Sequence, residues 1–227
     1  EIVFLANILN QCGAKIKGHG TAFLIIKGVQ SLKPINCDIL PDRIETGTYM
    51  IASAITSGNV KITNCLPQQV EALTMKLRQA GLIVEEAERS LRVISNGQFK
   101  GVDITTHPHP GFATDLQAQF MALMAIAEGQ SIILETVFEN RFMHAAELKR
   151  MGANITIQGR TAVVAGVKQL SGAPLMATDL RASASLVLAA LAAKGQSKIS
   201  RVYHIDRGYS AIEQKLYMLG AKIFREK

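Results

Sequence analysis

Three aspartates and four arginines carry the most chemistry in this 227-residue chain. Asp42, Asp115 and Asp179 each open an Ala-rich, helix-period stretch: DRIETGTYMIASAITSG, DLQAQFMALMAIAEG and DLRASASLVLAALAAKG. Aspartate at that point reads as an N-cap, its carboxylate accepting from free backbone N–H groups. Arg43 and Arg181 follow in the first turn, where a cation opposes the helix dipole. A ligand that offsets this repulsion would be an anion. If the three helix starts gather at one end, their N–H groups favour a polyanion. The alternative is that both arginines pair with neighbouring carboxylates, including the aspartates before them. Arg141 in TVFENRFMHAAE and Arg207 in RVYHIDRGYSAIE lead into two further helical stretches. The guanidinium is planar and permanently charged, and its fork meets carboxylate or phosphate at two points. Gly208 would allow close backbone approach beside Arg207, and Phe138 offers an apolar ledge. An Asp206–Arg207 ion pair is the structural alternative.

Other constellations are weaker. His107 and His109 in HPHPGFATD stand at i and i+2 on a proline-stiffened loop, but no other ligand cluster has suitable spacing, so no metal or cofactor is indicated. His19, His144 and His204 are isolated. Cys12, Cys37 and Cys65 are an odd, unclustered set, which fits a reducing compartment and an expectation of cytoplasmic location. No G-x-G-x-x-G after a strand, P-loop, G-x-S-x-G or H-E-x-x-H is present. With 48% apolar residues the chain has ample material for a core, which excludes disorder. Its longest apolar run, Leu186 to Ala193, is far below the roughly 18 residues of a membrane span. The formal charge of +7 suggests an anionic partner. With 5% aromatic residues and no dense Lys/Arg stripe, a nucleic-acid partner is not expected.

A repeat must position these residues. LNQCGAKI, LRQAGLIV, LKRMGANI and LYMLGAKI share one pattern, in which a helical stretch ends at Gly13, Gly81, Gly152 or Gly220 and a strand begins. The interval is about 70 residues, the scale of one supersecondary unit per repeat. Glycine just past a helix end adopts the left-handed conformation without a Cβ penalty. The Asp-started stretches close on Gly58, Gly129 and Gly195; a strand (KITNC, SIILETVF, SKISRVYH), a second helix and further strands follow. The unit is β-α-β-α-β-β, an α/β class. Helices at about 45–57, 116–128 and 180–194 are apolar nearly all round and should be buried. Those at about 68–80, 141–151 and 208–219 carry charge on one face and should lie outside. The array starts and stops within a unit, so the chain is expected to be the C-terminal portion of a longer protein whose absent half pairs its open edges.

LPDRIETGTYMIASAI, HPGFATDLQAQF, ETVFENRFMHAAEL, MATDLRASASLVLAAL and YHIDRGY closely resemble the C-terminal half of the bacterial UDP-N-acetylglucosamine enolpyruvyl transferases, of the enolpyruvyl transferase family. The resemblance covers essentially the whole chain. It implies an inside-out α/β barrel fold: two lobes, each of three β-α-β-α-β-β units around parallel inner helices, with the active site between lobes. On that mapping residues 1–39 end the first lobe. Residues 40–227 form the second, as units of about 40–103, 104–170 and 171–227. The implied chemistry moves the enolpyruvyl group of phosphoenolpyruvate to the sugar 3′-hydroxyl of UDP-N-acetylglucosamine and releases phosphate, at the start of peptidoglycan precursor synthesis.

The resemblance also implies roles. Asp115 matches the aspartate at the 3′-hydroxyl, proposed as its general base, and Val137 matches a UDP-sugar contact with Phe138 beside it. Arg207 matches an arginine that binds phosphoenolpyruvate on lobe closure. Arg181 matches a second arginine at that anion site, held near Asp179; Arg43 and Arg141 match arginines lining the cleft. A helix N-terminus and nearby arginines should keep Asp115 ionised, which makes it a poor equilibrium base and favours orientation with late proton transfer. The family's N-terminal lysine and its reactive loop cysteine have no counterpart here, so the chain alone is expected to be inactive. The rivals are 5-enolpyruvylshikimate-3-phosphate synthase, with the same fold and donor, and a non-catalytic RNA-binding or RNA-cyclase-like module.

Overall fold

The computed structural model describes residues 1–226, which form two compact units divided between Pro41 and Asp42. In the first unit, α1 (Ile2–Gln11) ends at Cys12 and Gly13, and β1 (Lys15–Lys17) pairs antiparallel with β2 (Ile25–Lys27). The Asn10 side chain both donates to Ile16 O and accepts from Ile16 N at 2.8 Å, fixing the helix–strand corner.

The second unit begins with α2 (Arg43–Ile55), β3 (Asn59–Thr63), α3 (Glu71–Ala80), β4 (Ile83–Ala87) and β5 (Ser90–Ile94). There follow β6 (Ile104–Thr105), α4 (Gln117–Met124), β7 (Gln130–Leu134), α5 (His144–Arg150), β8 (Asn154–Gln158) and β9 (Thr161–Ala165). It ends with β10 (Pro174–Met176), α6 (Leu180–Ala192), β11 (Lys198–Ser200) and α7 (Ile212–Met218). The full β-α-β-α-β-β order is realised in the middle repeat, whose sheet runs β6-β7-β9-β8. The flanking repeats show the same topology in part, as β3-β5-β4 and β10-β11. Within each complete hairpin the last two strands pair antiparallel, while β6–β7 and β10–β11 are parallel.

The inner helices α2, α4 and α6 pack on one another, and every residue of α4 is buried. Small residues permit this approach. A Cβ on Gly47 of α2 would stand 2.8 Å from the Leu116 methyls beside α4. The repeat glycines take the conformation their pattern requires, with φ of 101°, 101°, 92° and 99° at Gly13, Gly81, Gly152 and Gly220. The closing glycines divide: Gly129 and Gly195 have positive φ, but after α2 that conformation falls on Ser57. The charged helices are shorter than their pattern suggests, since 3-10 turns at Pro67–Val70 and Val202–Arg207 precede α3 and α7 and α5 begins only at His144.

Candidate active site at the starts of the inner helices

Two of the three aspartates cap their helices. Asp42 Oδ1 accepts from Ile44 N at 2.7 Å and Glu45 N at 3.2 Å. Asp179 Oδ1 accepts from Arg181 N at 2.8 Å and Ala182 N at 2.9 Å. Asp115 does not cap, contrary to its sequence pattern: it sits inside a 3-10 turn, Thr114–Leu116, that precedes α4. Its carboxylate faces two guanidiniums. Arg141 Nη2 donates to Oδ1 at 2.7 Å and Arg181 Nη2 donates to Oδ2 at 2.8 Å. A cap would set the carboxylate against the fractional charge of a helix N-terminus, whereas the two guanidiniums each bring a full positive charge, so the arginines prevail over the cap. The arginine side chains are 14% and 17% exposed against 38% for Asp115, so the carboxylate is the accessible centre of the cluster.

Electrostatics follows from this packing. Burial alone would raise the Asp115 pKa. The Arg181 hydrogen bond and the charges of Arg181, Arg141 and Arg43 outweigh it and hold the carboxyl below its ordinary range. The Arg181 guanidinium, despite its burial, is held above its usual value by the same pair. Arg181 therefore belongs to Asp115, not to Asp179, whose contact with it is only the backbone cap. Arg43 is the first residue of α2, and its charge reaches Asp115. Arg141 also lies 4.9 Å above the Phe138 ring centroid, a cation–π contact that holds both. Val137 and Phe138 are 42% and 56% exposed, an apolar ledge beside the ion cluster.

A buried polar network joins the helix starts beneath this surface. Tyr209, 1% exposed, shares a 2.8 Å hydrogen bond with Thr48 of α2. Because Thr48 Oγ1 donates to Ile44 O, the tyrosine hydroxyl is the donor to Thr48. Gln119 Nε2 of α4 donates to the Tyr209 hydroxyl at 3.3 Å and to Asp115 O at 3.0 Å. Tyr209 lies two residues beyond Arg207, so it anchors that segment to the site's floor. Arg207 itself is exposed and makes no hydrogen bond or ion pair among the described residues. Its neighbour Asp206 is instead taken by Arg225, at 2.6 and 3.0 Å, which holds that carboxyl below its ordinary pKa. Gly208 serves packing: a Cβ there would stand 2.9 Å from Leu180 at the start of α6.

The structure thus brings Asp115, Arg181, Arg141 and Phe138 into contact and sets Arg43 within electrostatic reach. It leaves Arg207 outside the cluster. Sequence reasoning missed Tyr209, Gln119 and Glu135. Glu135 had a signal: Ser131, Ile133 and Glu135 alternate on the buried face of β7 and its continuation, which places an acid where the core lies. Tyr209 had none beyond its proximity to Arg207.

Comparison with known proteins gives the family of the chain. The family model described as EPSP synthase (3-phosphoshikimate 1-carboxyvinyltransferase) matches residues 1–216. UDP-N-acetylglucosamine 1-carboxyvinyltransferases of Magnetococcus marinus and Bdellovibrio bacteriovorus are 59% and 58% identical over 99% of the chain. The chain spans about half the length of these relatives, 54% and 55%. Among solved structures, the enolpyruvyl transferase NikO from Streptomyces tendae superposes with a TM-score of 0.86 at 29% identity, over 96% of this chain and 53% of its own. An EPSP synthase from Acinetobacter baumannii, at 19% identity and a TM-score of 0.73, covers 93% of this chain and 53% of its own and shares the fold. The chain belongs to the EPSP synthase (3-phosphoshikimate 1-carboxyvinyltransferase) family.

Proposed function

We propose that this chain supplies half of the active site of a UDP-N-acetylglucosamine 1-carboxyvinyltransferase. The acceptor hydroxyl oxygen bonds to C2 of phosphoenolpyruvate while C3 takes up a proton. The tetrahedral adduct then loses phosphate from C2 and a proton from C3, restoring the double bond. The observation that carries this reading is the Asp115 carboxylate held ionised and accessible between Arg141 and Arg181, in a sequence 59% identical to an enzyme of that name.

Each group has a task. Asp115 orients the sugar 3′-hydroxyl and receives its proton late, as the C–O bond forms; a carboxyl with a lowered pKa orients better than it deprotonates. Val137 and Phe138 hold the sugar nucleotide. Arg181 and Arg207 bind the carboxylate and phosphate of phosphoenolpyruvate and stabilise charge moving toward departing phosphate. Arg207, exposed and unpaired here, is poised to engage when the donor is bound. Arg43 and Arg141 line the cleft, Arg141 by fixing Asp115. The remaining residues of the site come from the half that the relatives carry and this chain does not span. The three free cysteines support a reducing, cytoplasmic setting, and the product feeds peptidoglycan precursor synthesis.

The test joins this chain to the complementary half of the Magnetococcus marinus relative and follows phosphate release from phosphoenolpyruvate. Release should require UDP-N-acetylglucosamine and not respond to shikimate 3-phosphate. Release with shikimate 3-phosphate alone would favour the synthase reading instead.

A further inference from the structure

Glu135 follows β7 and is 1% exposed. A buried carboxyl must be hydrogen-bonded, and this one is acceptor to four donors. Oε1 accepts from Thr106 Oγ1 at 2.7 Å and from the backbone N–H groups of Val137 and Phe138, both at 2.9 Å. Oε2 accepts from Thr114 Oγ1 at 2.9 Å. Thr106 follows β6, and its hydroxyl oxygen also accepts from Thr136 N at 2.9 Å, while the Thr136 hydroxyl donates to Thr106 O. Thr114 is covalently joined to Asp115 and opens its 3-10 turn. One carboxylate therefore ties the Val137–Phe138 ledge to the segment that carries Asp115, across separations of 21 and 29 residues to Thr114 and Thr106.

We infer that Glu135 is a positioning residue of the site: a buried strut that sets the distance between the Val137–Phe138 ledge and Asp115, so that a sugar nucleotide held on the ledge presents its hydroxyl to the carboxylate. Two features separate this role from ordinary packing. Among the described residues the Val137 and Phe138 N–H groups have no strand partner, since β7 stops at Leu134, and Glu135 is their only acceptor. The two carboxylate oxygens are divided between the two functional segments, so losing either oxygen loosens one segment relative to the other. Glu135 touches no substrate in this scheme and acts through the backbone it holds.

The inference rests on the enolpyruvyl-transfer reading and is tested in the joined protein by steady-state kinetics with both substrates varied. Glu135→Ala should raise the KM for UDP-N-acetylglucosamine about tenfold, the scale of one or two lost hydrogen bonds, and leave the KM for phosphoenolpyruvate within about twofold. Glu135→Gln keeps an acceptor oxygen for the Val137 and Phe138 N–H groups, and should restore the sugar KM to within about threefold of wild type. Thr114→Val cuts only the tie to the Asp115 segment, and should lower kcat several-fold with the sugar KM unchanged. It serves alone if Glu135→Ala does not fold. An unchanged sugar KM in Glu135→Ala, or equal rises in both KM values, would overturn the positioning role, as would a Thr114→Val enzyme of wild-type kcat. A wild-type joined protein inert toward UDP-N-acetylglucosamine would overturn the function reading itself, and this inference with it.

Discussion

At the residue scale, Asp115 departs from its siblings because of who faces it. Asp42, Asp115 and Asp179 sit in nearly the same local sequence, yet only the outer two bond their own helix N–H groups. The partners that redirect Asp115 lie 26 and 66 residues away, so no local pattern could announce the exchange. Arg181 was legible as a cation at the wrong end of a helix and Arg141 as a basic residue entering an outer helical stretch, and so was their attraction to an anion. The alternative that Arg43 and Arg181 pair with neighbouring carboxylates gave the kind of partner for Arg181 but not the partner, which is Asp115 and not Asp179. Arg207 follows a different logic. Exposed and unpaired, it has no structural work among the described residues, so Arg207→Ala in the joined protein should raise the KM for phosphoenolpyruvate about tenfold or more, the scale of a lost charge-assisted bond. The affinity for the UDP-sugar should stay within about twofold; equal losses for both substrates would remove the donor assignment.

His144 gives a second prediction at this scale. It is buried beside Arg141 and near Asp179, its Nε2 lacks a partner among the described residues, and burial lowers its pKa to about 4. The unfolded chain takes up a proton near the ordinary value of about 6.5, which the folded chain refuses until about 4. Stability is therefore complete above about pH 6.5 and lost as pH falls toward 4, by about 2 kcal/mol between pH 7 and 5. Urea unfolding at the two pH values measures this. His144→Gln should flatten that difference, whatever it does to stability at neutral pH; an unchanged difference would assign the acid sensitivity elsewhere.

At the element scale, the repeat was the most legible feature because it is written in local backbone chemistry. Glycines at helix ends and small residues along buried helices do the same physical work in each copy, so the pattern survives substitution elsewhere. Gly81 and Gly152 have left-handed φ and open space where a Cβ would go. Gly81→Ala and Gly152→Ala should each cost about 1–2 kcal/mol by conformation alone, read as a shift in denaturant midpoint at constant slope. Values near zero would mean the helix ends relax freely. Helix lengths were less legible, since the 3-10 turns before α3 and α7 carry the same residue types as a helical first turn. The network joining the inner helices was not legible at all. Thr48, Gln119 and Tyr209 are ordinary polar residues until three segments meet. Tyr209→Phe keeps the ring and removes the shared hydroxyl. It should destabilise by about 1 kcal/mol, because Thr48 and Gln119 each keep another bond.

At the scale of the whole molecule, the chain spans 54% of its Magnetococcus marinus relative, and its polar centre gathers at the starts of three packed helices. Helix starts contribute N–H groups and partial positive charge, the arginines add full charge, and Asp115 supplies a partly exposed carboxylate held between two of them. That combination suits a reaction between an alcohol and a doubly anionic donor. The most direct measurement is the product formed by the joined protein from phosphoenolpyruvate and UDP-N-acetylglucosamine, with wild type and Asp115→Asn compared by mass spectrometry and phosphate release. The account predicts a UDP-sugar heavier by one enolpyruvyl group. It predicts a rate at least about a hundredfold lower for Asp115→Asn, the scale of a lost acid–base group, with UDP-sugar binding retained. Wild-type turnover by Asp115→Asn would contradict the account.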